Sequence, residues 1–273
     1  RSSDLALRTP ARRVRGRLMS DADEFERRIA RLDQSLFDLV QTQSTARDKI
    51  SWLTIQRTVR RTKPVYTYLE IGSYLGGSLQ QYLQDPRCTT IYSIDDRTVD
   101  GRHRENSTEA MLDGLAVVGD ALHKLHCFDG DACDVSPTAI STAPDVCFID
   151  GRHTDEAVAN DFSFCLSVCA ADAVIYFHDA GRTRSGIAFC LGSLTRSGRP
   201  HLAYKLPGET FVIALLSSPL CADASVRSLA VATHGGLWLR TAGLANGVRR
   251  HTPPQFKPAL GRLRRLFWRA GSD

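Results

Sequence analysis

The sequence lacks any long apolar run, and this lack argues against a membrane-spanning helix. A helix needs about 18 mostly apolar residues in succession to cross a bilayer. The longest apolar runs here, at 211–216 and 173–177, have the length of strands. The N-terminus is rich in arginine, but no apolar segment follows it, so we expect no signal peptide. We expect a cytoplasmic protein whose natural start is Met19.

The sequence also lacks paired cysteines. None of its eight cysteines forms a C-x-x-C pair or shows a spacing typical of zinc sites. They are Cys88, Cys127, Cys133, Cys147, Cys165, Cys169, Cys190 and Cys221. Because several lie in apolar runs, we expect reduced, buried thiols and no disulfide framework.

Positive charge is scarce in the middle of the chain. The chain carries a net charge of +5, but six Arg against one Asp in residues 1–18 already give +5. Six Arg and one Lys against one Asp in residues 249–273 give +6, so residues 19–248 carry −6. An acidic body disfavours nucleic-acid binding, whereas the basic ends suit anionic surfaces such as a membrane face.

Composition and periodicity divide the chain into four parts. We predict a disordered basic N-terminus at 1–19, a helical extension at 20–62, a main domain at 63–218 and a C-terminal extension with a basic tail at 219–273. The helical extension is predicted to hold one helix from a Ser20–Asp23 capping box to about Gln41, and a second from Ala46 to Arg60. We expect these helices to form a cap or an arm for homo-oligomer formation.

The main domain alternates strands with helices, which indicates an α/β fold with a mainly parallel sheet. The predicted strands are 65–71, 89–95, 124–129, 145–150 and 173–178, with a closing pair at 201–205 and 210–216. The predicted helices are 77–84, 106–114, 154–169 and 184–194. Farther on, residues 245–260 resemble a linker, and residues 258–269 form a basic amphipathic segment.

A glycine-rich turn follows the first predicted strand. The turn contains Gly72, Gly76 and Gly77, and a helix opens at Ser78. Such a strand, turn and helix N-terminus suit a nucleotide-like ligand. A tight loop whose glycines serve only packing is the alternative, and the turn alone does not separate the two.

Acidic and histidine residues stand at the ends of the next four predicted strands. Asp95 ends the second, Asp131 follows the third, Asp150 ends the fourth, and the pair 178–179, His-Asp, ends the fifth. Ligands of open α/β sheets bind outside the carboxyl ends of the strands, so we expect these groups to meet in one crevice. Any single one could instead cap a helix.

These motifs, EIGSYLGGS, YSIDD, GDA, FIDGRHTDEAVANDF and VIYFHDAG in that order, resemble the class I S-adenosylmethionine-dependent methyltransferases. The resemblance covers about residues 64–216 and is strongest to the branch with D-G-x-H after the fourth strand, which includes small-molecule and glycan O-methyltransferases. It implies a seven-stranded Rossmann-like sheet with an antiparallel closing strand, and it makes residues 63–218 the methyltransferase domain.

The resemblance also implies roles for individual residues. The residues that would hold S-adenosyl-L-methionine are Glu70, Gly72, Ser73, Gly76, Gly77 and Ser78, with Asp95 (or Asp96) at the ribose and Asp131 near the adenine. Asp150, His178 and Asp179 would hold a divalent metal, Mg²⁺ or Mn²⁺, although a histidine ligand departs from the oxygen set that Mg²⁺ prefers.

The reaction that this resemblance implies is O-methylation of a small molecule or glycan, with His153 as general base. His153 could instead cap the helix that follows it. Two other classes stay open. A nicotinamide-dependent oxidoreductase would normally show G-x-G-x-x-G, whereas this turn is G-x-x-x-G-G. A non-catalytic interaction module would keep the fold without needing all of these residues.

Overall fold

Seven strands form one sheet in the order β3-β2-β1-β4-β5-β7-β6. The structure, a computed structural model, describes residues 21–97, 107–216, 218, 220, 223–232 and 234–239. The strands are β1 Tyr66–Ile71, β2 Cys88–Asp95, β3 Leu125–Asp129, β4 Val146–Ile149, β5 Val174–Phe177, β6 His201–Lys205 and β7 Phe211–Leu215. Strands β1 to β5 pair in parallel, and β7 pairs antiparallel with both β5 and β6. The predicted fold class is confirmed.

Helices connect the strands and cover both faces of the sheet. They are α1 Asp21–Ala30, α2 Ala46–Thr62, α3 Gln80–Leu83, α4 Thr108–Leu115, α5 Asp155–Val168, α6 Arg184–Arg196 and α7 Ala224–Leu229. Helix α5 begins where the Thr154 hydroxyl accepts a hydrogen bond from the Ala157 N–H. The negative charges of Asp155 and Glu156 in its first turn interact favourably with the helix dipole. Helix α7 was not predicted from the sequence.

The first helix ends eleven residues earlier than predicted. Helix α1 stops at Ala30, and Leu32 adopts a φ of 54° that cannot continue a helix. Asp33 then caps a short 3-10 helix, Gln34–Phe37, by accepting from the Ser35 N–H. A capping box of Thr45 with Asp48 starts α2, close to its predicted position. Ser20 of the predicted Ser20–Asp23 box lies outside the described residues.

The N-terminal helices belong to the core of the main domain. One apolar cluster lies on the face of the sheet that α2 and α3 cover, and it includes Phe25, Trp52, Tyr68 and Tyr176. Trp52 is fully buried, with its ring centroid 4.9 Å from that of Phe148. The predicted separate cap or arm is therefore an integral layer of this fold.

The second apolar cluster lies on the opposite face, under α5 and α6. Strand residues such as Ile149, Ile175 and Phe177 pack there against Val158 and Ile187. Because both faces are covered, β4 and β5 are buried along their whole length, as their unbroken apolar sequences predict.

Several predictions concern residues outside the described part of the chain. These are the disordered N-terminus at 1–19, the linker at 245–260 and the basic segment at 258–269. Within the described ranges, no helix has the length and apolar character that crossing a bilayer requires.

Candidate active site

The glycine-rich turn lies where the sheet changes its direction of progression, between β1 and β4. Gly72 has a φ of 91°, and a Cβ there would overlap the backbone of Asp150 at the end of β4. Gly76 has a φ of 80°, and a Cβ would come within 2.7 Å of the Leu115 side chain. A Cβ on Gly77 would overlap the Gln41 carbonyl. Each glycine is thus required by a close contact within the protein, as the packing interpretation proposes.

Glu70 lies directly beneath this turn and is fully buried. It accepts hydrogen bonds from the Tyr68 hydroxyl, at 2.7 Å, and from the Ser78 hydroxyl. Burial raises the pKa of Glu70 to about 8, although both hydrogen bonds oppose the rise. The Glu70 carboxyl therefore stabilises the turn through its hydrogen bond with Ser78, and it is largely protonated at neutral pH.

Asp95 at the end of β2 points to the same turn. Its carboxylate accepts from the Tyr74 backbone N–H, and burial raises its pKa above the usual range despite that bond. Ser73 is also buried and lies 2.5 Å from the Ser93 hydroxyl. The structure therefore brings together Glu70, Ser73, Ser78 and Asp95, four of the residues predicted to hold the cofactor.

Arg97 is a buried cation beside the turn that sequence reasoning missed. Its Nη2 donates to the hydroxyls of Ser73, at 2.9 Å, and Ser93, at 2.8 Å, while its Nη1 binds Asp129 at 3.0 Å. Its Nε is buried and has no hydrogen-bond partner within the part of the chain that the structure describes. That nitrogen is a buried donor beside the turn.

Asp131 lies farther out, at the end of β3. Its side chain is 42% exposed, and Arg152 Nη2 lies 3.5 Å from its carboxylate. The same Arg152 nitrogen donates to Asp96 at 2.7 Å. Arg152 thus joins the loops that follow β2, β3 and β4, so the predicted adenine and ribose residues lie around one rim of the crevice.

His178, which follows β5, joins Asp150 at the end of β4 to Asp48 of α2. Its Nδ1 lies 3.1 Å from Asp150 Oδ1, and its Nε2 lies 3.6 Å from Asp48 Oδ2, a separation long for a hydrogen bond but short for an ion pair. Burial alone would lower the pKa of His178, but contacts with both carboxylates outweigh it and raise the pKa to about 10. His178 is therefore an imidazolium at neutral pH.

Asp48, the second partner of His178, comes from α2 and was missed by sequence reasoning. It is 1% exposed and also accepts from the Thr45 hydroxyl at 2.5 Å and from the Glu209 N–H at 2.7 Å. Burial works to raise its pKa, but these polar contacts hold the pKa well below its usual range. The capping box at Thr45 was its only signal in the sequence, and such a box indicates a helix start rather than a site.

His153 forms a second polar pair at the mouth of the crevice. Its Nδ1 lies 3.3 Å from Asp179 Oδ2, and both side chains are partly exposed, at 37% and 29%. Asp179 has a φ of 49°, which turns the chain sharply after β5. In the alternative interpretation His153 caps α5, but Thr154 fills that position. The pair leaves Nε2 of His153 free of this contact and able to take a proton.

The predicted metal ligands do not form a preassembled metal site. Both ring nitrogens of His178 face carboxylates, Asp150 at 3.1 Å and Asp48 at 3.6 Å. In the described ranges, one group of three residues has its ligand atoms within 4.8 Å of one another: Asp131, Cys133 and Asp134. It does not include Asp150, His178 or Asp179. The metal stays a sequence-based prediction that this geometry does not fit, and we assign it no step.

Comparisons with known proteins agree with this architecture. A family model described as a methyltransferase domain matches residues 69–180. An uncharacterized protein of Acanthamoeba polyphaga mimivirus is 28% identical over 117 residues, which are 41% of this chain and 51% of that protein. The chain thus spans about half the length of this curated relative.

Solved O-methyltransferase structures resemble the chain at low sequence identity. The enzyme from Streptomyces achromogenes, in complex with SAM, is 17% identical with a TM-score of 0.48, covering 68% of this chain and 88% of its own. The enzyme from Bacillus cereus, in complex with SAH, is 14% identical with a TM-score of 0.48, covering 74% of this chain and 93% of its own.

The segment from 69 to 180, which holds the glycine-rich turn and the His153–Asp179 pair, matches the family model described as a methyltransferase domain. This confirms the resemblance to class I S-adenosylmethionine-dependent methyltransferases and the expectation of an enzyme. The family match favours methyl transfer over the nicotinamide-dependent alternative.

Proposed function

We propose that this protein transfers a methyl group from S-adenosylmethionine to a hydroxyl of a small molecule or glycan. The observation that carries the proposal is the His153–Asp179 pair, 3.3 Å apart beyond the carboxyl ends of β4 and β5, at the edge of the sheet that also bears the glycine-rich turn. A methyltransferase domain defines the class of reaction, and a histidine oriented by a carboxylate suits an acceptor that must lose a proton.

The crevice residues fit the cofactor. Asp95 ends the second strand, where an acid suits ribose hydroxyls, and it is already aligned by the Tyr74 N–H. The unpartnered Nε of Arg97 offers a buried donor beside the same turn. When bound, S-adenosylmethionine supplies a sulfonium-linked methyl group that a hydroxyl oxygen can attack.

His153 and Asp179 supply the proton chemistry. Asp179 Oδ2 lies 3.3 Å from Nδ1 of His153, and in this proposal it orients the ring and leaves Nε2 as the acceptor for the substrate proton. As the proton arrives, the charge of Asp179 stabilises the imidazolium. Because His178 is already protonated and held by Asp48 and Asp150, it acts as a fixed positive charge behind the reacting groups rather than as a base.

The test compares His153→Ala with His123→Ala. His123 is an exposed histidine far along the chain from either polar pair, bonded to the Asp120 carbonyl. Methyl transfer from labelled S-adenosylmethionine to a panel of phenols and glycosides should fall about 10²- to 10⁴-fold in His153→Ala and stay unchanged in His123→Ala. Calorimetry should show equal S-adenosylhomocysteine affinity in both variants.

Two results would contradict the proposal. Full turnover in His153→Ala would show that His153 is not the general base and has only a structural role. Failure of the wild-type protein to bind S-adenosylhomocysteine would show that S-adenosylmethionine is not the cofactor. The same assay in chelator examines the metal prediction, and we expect full activity because the His178 contacts leave no ligand nitrogen free.

A further inference from the structure

Asp161 is a buried carboxyl that the proposed reaction does not use. It lies in α5 and is only 8% exposed. Its Oδ2 is 3.2 Å from the point where Gly151 would carry a Cβ, and the Ile71 side chain is 3.5 Å from that point. Asp161 is therefore placed beside the switch point between β1 and β4, next to Gly151, the second residue after β4.

Within the described ranges, no hydrogen bond or ion pair involves the carboxyl of Asp161. Arg152, the cation that acts on the pKa of Asp161, forms ion pairs with Asp96 at 2.7 Å and Asp131 at 3.5 Å. A buried carboxylate without a partner is costly, so such a group takes up a proton. Burial raises the pKa of Asp161 to about 7, the negative charge of Asp131 adds to the rise, and Arg152 opposes it.

The position of Asp161 relative to the proposed cofactor follows from the sheet. The acid that suits the ribose, Asp95, ends β2, and the resemblance to methyltransferases implies that the adenine lies near Asp131, after β3. Arg152 shows that the loops after β2, β3 and β4 meet at one rim. The Asp161 carboxyl borders this rim, because its Oδ2 is 3.2 Å from the Cβ position of Gly151 and the charge of Asp131 acts on its pKa.

We propose that Asp161 recognises the adenine of S-adenosylmethionine as a carboxylic acid, donating its O–H to a ring nitrogen and accepting from the adjacent exocyclic amine with its carbonyl oxygen. This inference rests on the proposed function. A neutral carboxyl presents one donor and one acceptor side by side, the same arrangement that the amides of Asn and Gln offer to an adenine edge. A carboxylate, which only accepts, could satisfy the amine but not the ring nitrogen.

The recognition explains why an acid is tolerated on the apolar face of α5. Asp161 occupies the i+3 position of the stripe that begins at Val158 and continues at Phe162 and Cys165, all buried. A leucine there would extend the core at no polar cost, so a buried acid needs a compensating partner. The base provides that partner when the cofactor is bound.

The experiment measures binding of S-adenosylhomocysteine and of its 1-deaza analogue by calorimetry. The analogue replaces the ring nitrogen next to the exocyclic amine with C–H, so the O–H of Asp161 loses its acceptor. The wild-type protein should bind the 1-deaza analogue at least about 10-fold more weakly. Asp161→Asn keeps a donor and an acceptor, and it should retain S-adenosylhomocysteine affinity within about threefold.

Asp161→Leu, of similar size, should lose at least about 10-fold in S-adenosylhomocysteine affinity and bind both ligands alike. Glu156→Leu, an exposed acid on the same helix, should match the wild type. Thermal unfolding shows that each variant is folded. Equal S-adenosylhomocysteine binding by wild type and Asp161→Leu would overturn the inference, and so would equal losses in the Asn and Leu variants. Absence of binding by the wild type would instead overturn the proposed function.

Discussion

Asp48 and His178 illustrate, at the scale of single residues, how a charge pair fixes one segment against another. Asp48 is nearly fully buried and receives polar contacts from α2 itself, from His178 after β5 and from the backbone at Glu209. Removing one partner of a buried pair leaves the other charge uncompensated, which costs far more than the pair contributes when it is complete.

We therefore expect Asp48→Asn to destabilise the protein by about 3 kcal/mol at pH 7. The amide keeps the shape and one acceptor but removes the charge that faces His178. Urea unfolding followed by far-UV circular dichroism measures the change in the free energy of unfolding. Asp38→Asn, an exposed acid in the preceding segment, is the control and should stay within about 0.5 kcal/mol of wild type. Equal stability of the two variants would show that the pair contributes no net energy.

Asp161 makes the stability of the protein depend on pH. Its pKa is raised from 3.8 to about 7 in the folded state, so its contribution is fully present below about pH 4 and is lost as the pH rises through 7. Above pH 7 the folded protein must hold a buried carboxylate that the unfolded chain holds in water.

Asp161→Asn should therefore become relatively more stable as the pH rises. Relative to wild type, its free energy of unfolding should increase by roughly 1–4 kcal/mol between pH 4.5 and pH 8. Urea titrations at several pH values measure this difference without cofactor. A difference that does not change with pH would mean that Asp161 titrates normally in the folded protein. Glu70 titrates in both proteins, so the comparison cancels its effect.

At the scale of elements, α2 is the helix that ties the N-terminal segment to the sheet. Trp52 packs against Phe148 and Tyr176 of adjacent strands, and its indole Nε1 donates to Thr210 at 3.1 Å. Its ring also makes an edge contact with His178, 5.6 Å between centroids. The helix therefore carries both an apolar anchor and the Asp48 charge into the crevice.

Trp52→Ala should destabilise the protein by about 3–5 kcal/mol, since it opens a large cavity and leaves the Thr210 hydroxyl without its donor. Trp52→Phe should cost clearly less, because most of the ring contact persists. Urea unfolding measures both, with exposed Arg47→Ala on the same helix as the control. If α2 were a detachable arm, Trp52→Ala would unfold α2 alone, and native-state hydrogen exchange would show the sheet still protected. We expect one cooperative transition.

The elements also show what the sequence could predict. Strands β1 to β7 lie within about one residue of their predicted bounds, because unbroken branched and aromatic runs between turns have few other solutions. The predicted end of α1 was wrong because the apolar spacing continues past Ala30 to Leu32 and Leu36, whereas Leu32 adopts a left-handed backbone conformation. Apolar periodicity carries no information about the dihedral angle of a single residue.

Some residues of the candidate site could likewise be predicted from the sequence, and others could not. Residues at strand ends, such as Asp95 and Asp150, were placed correctly because a parallel sheet brings its carboxyl ends to one edge. Asp48 and Arg97 were missed because their roles arise from contacts between segments far apart in sequence. Asp161 did leave a signal, an acid within an apolar stripe of α5, that helical spacing alone could have identified.

At the scale of the whole molecule, charge separates the ends of the chain from its body. Residues 1–18 and 249–273 carry +5 and +6, against −6 between them. In the segment 258–269, four arginines alternate with Leu263, Leu266, Phe267 and Trp268. Basic and apolar side chains together suit the headgroup region of an anionic membrane, where each basic residue near the surface contributes about 1 kcal/mol.

We therefore expect the chain to bind vesicles that contain phosphatidylserine, and to lose this binding when residues 250–273 are removed. Flotation with roughly one third phosphatidylserine should recover the full chain but not the shortened one, because removal of residues 250–273, which carry +5, leaves a chain with a net charge of 5 − 5 = 0. Neutral vesicles are the control, and binding should weaken from low to about 0.5 M salt because screening shortens the reach of the charges. A variant with Arg262, Arg264, Arg265 and Arg269 changed to Gln separates charge from apolar contact. Equal flotation of the full and shortened chains would show that the basic segment does not contact membranes.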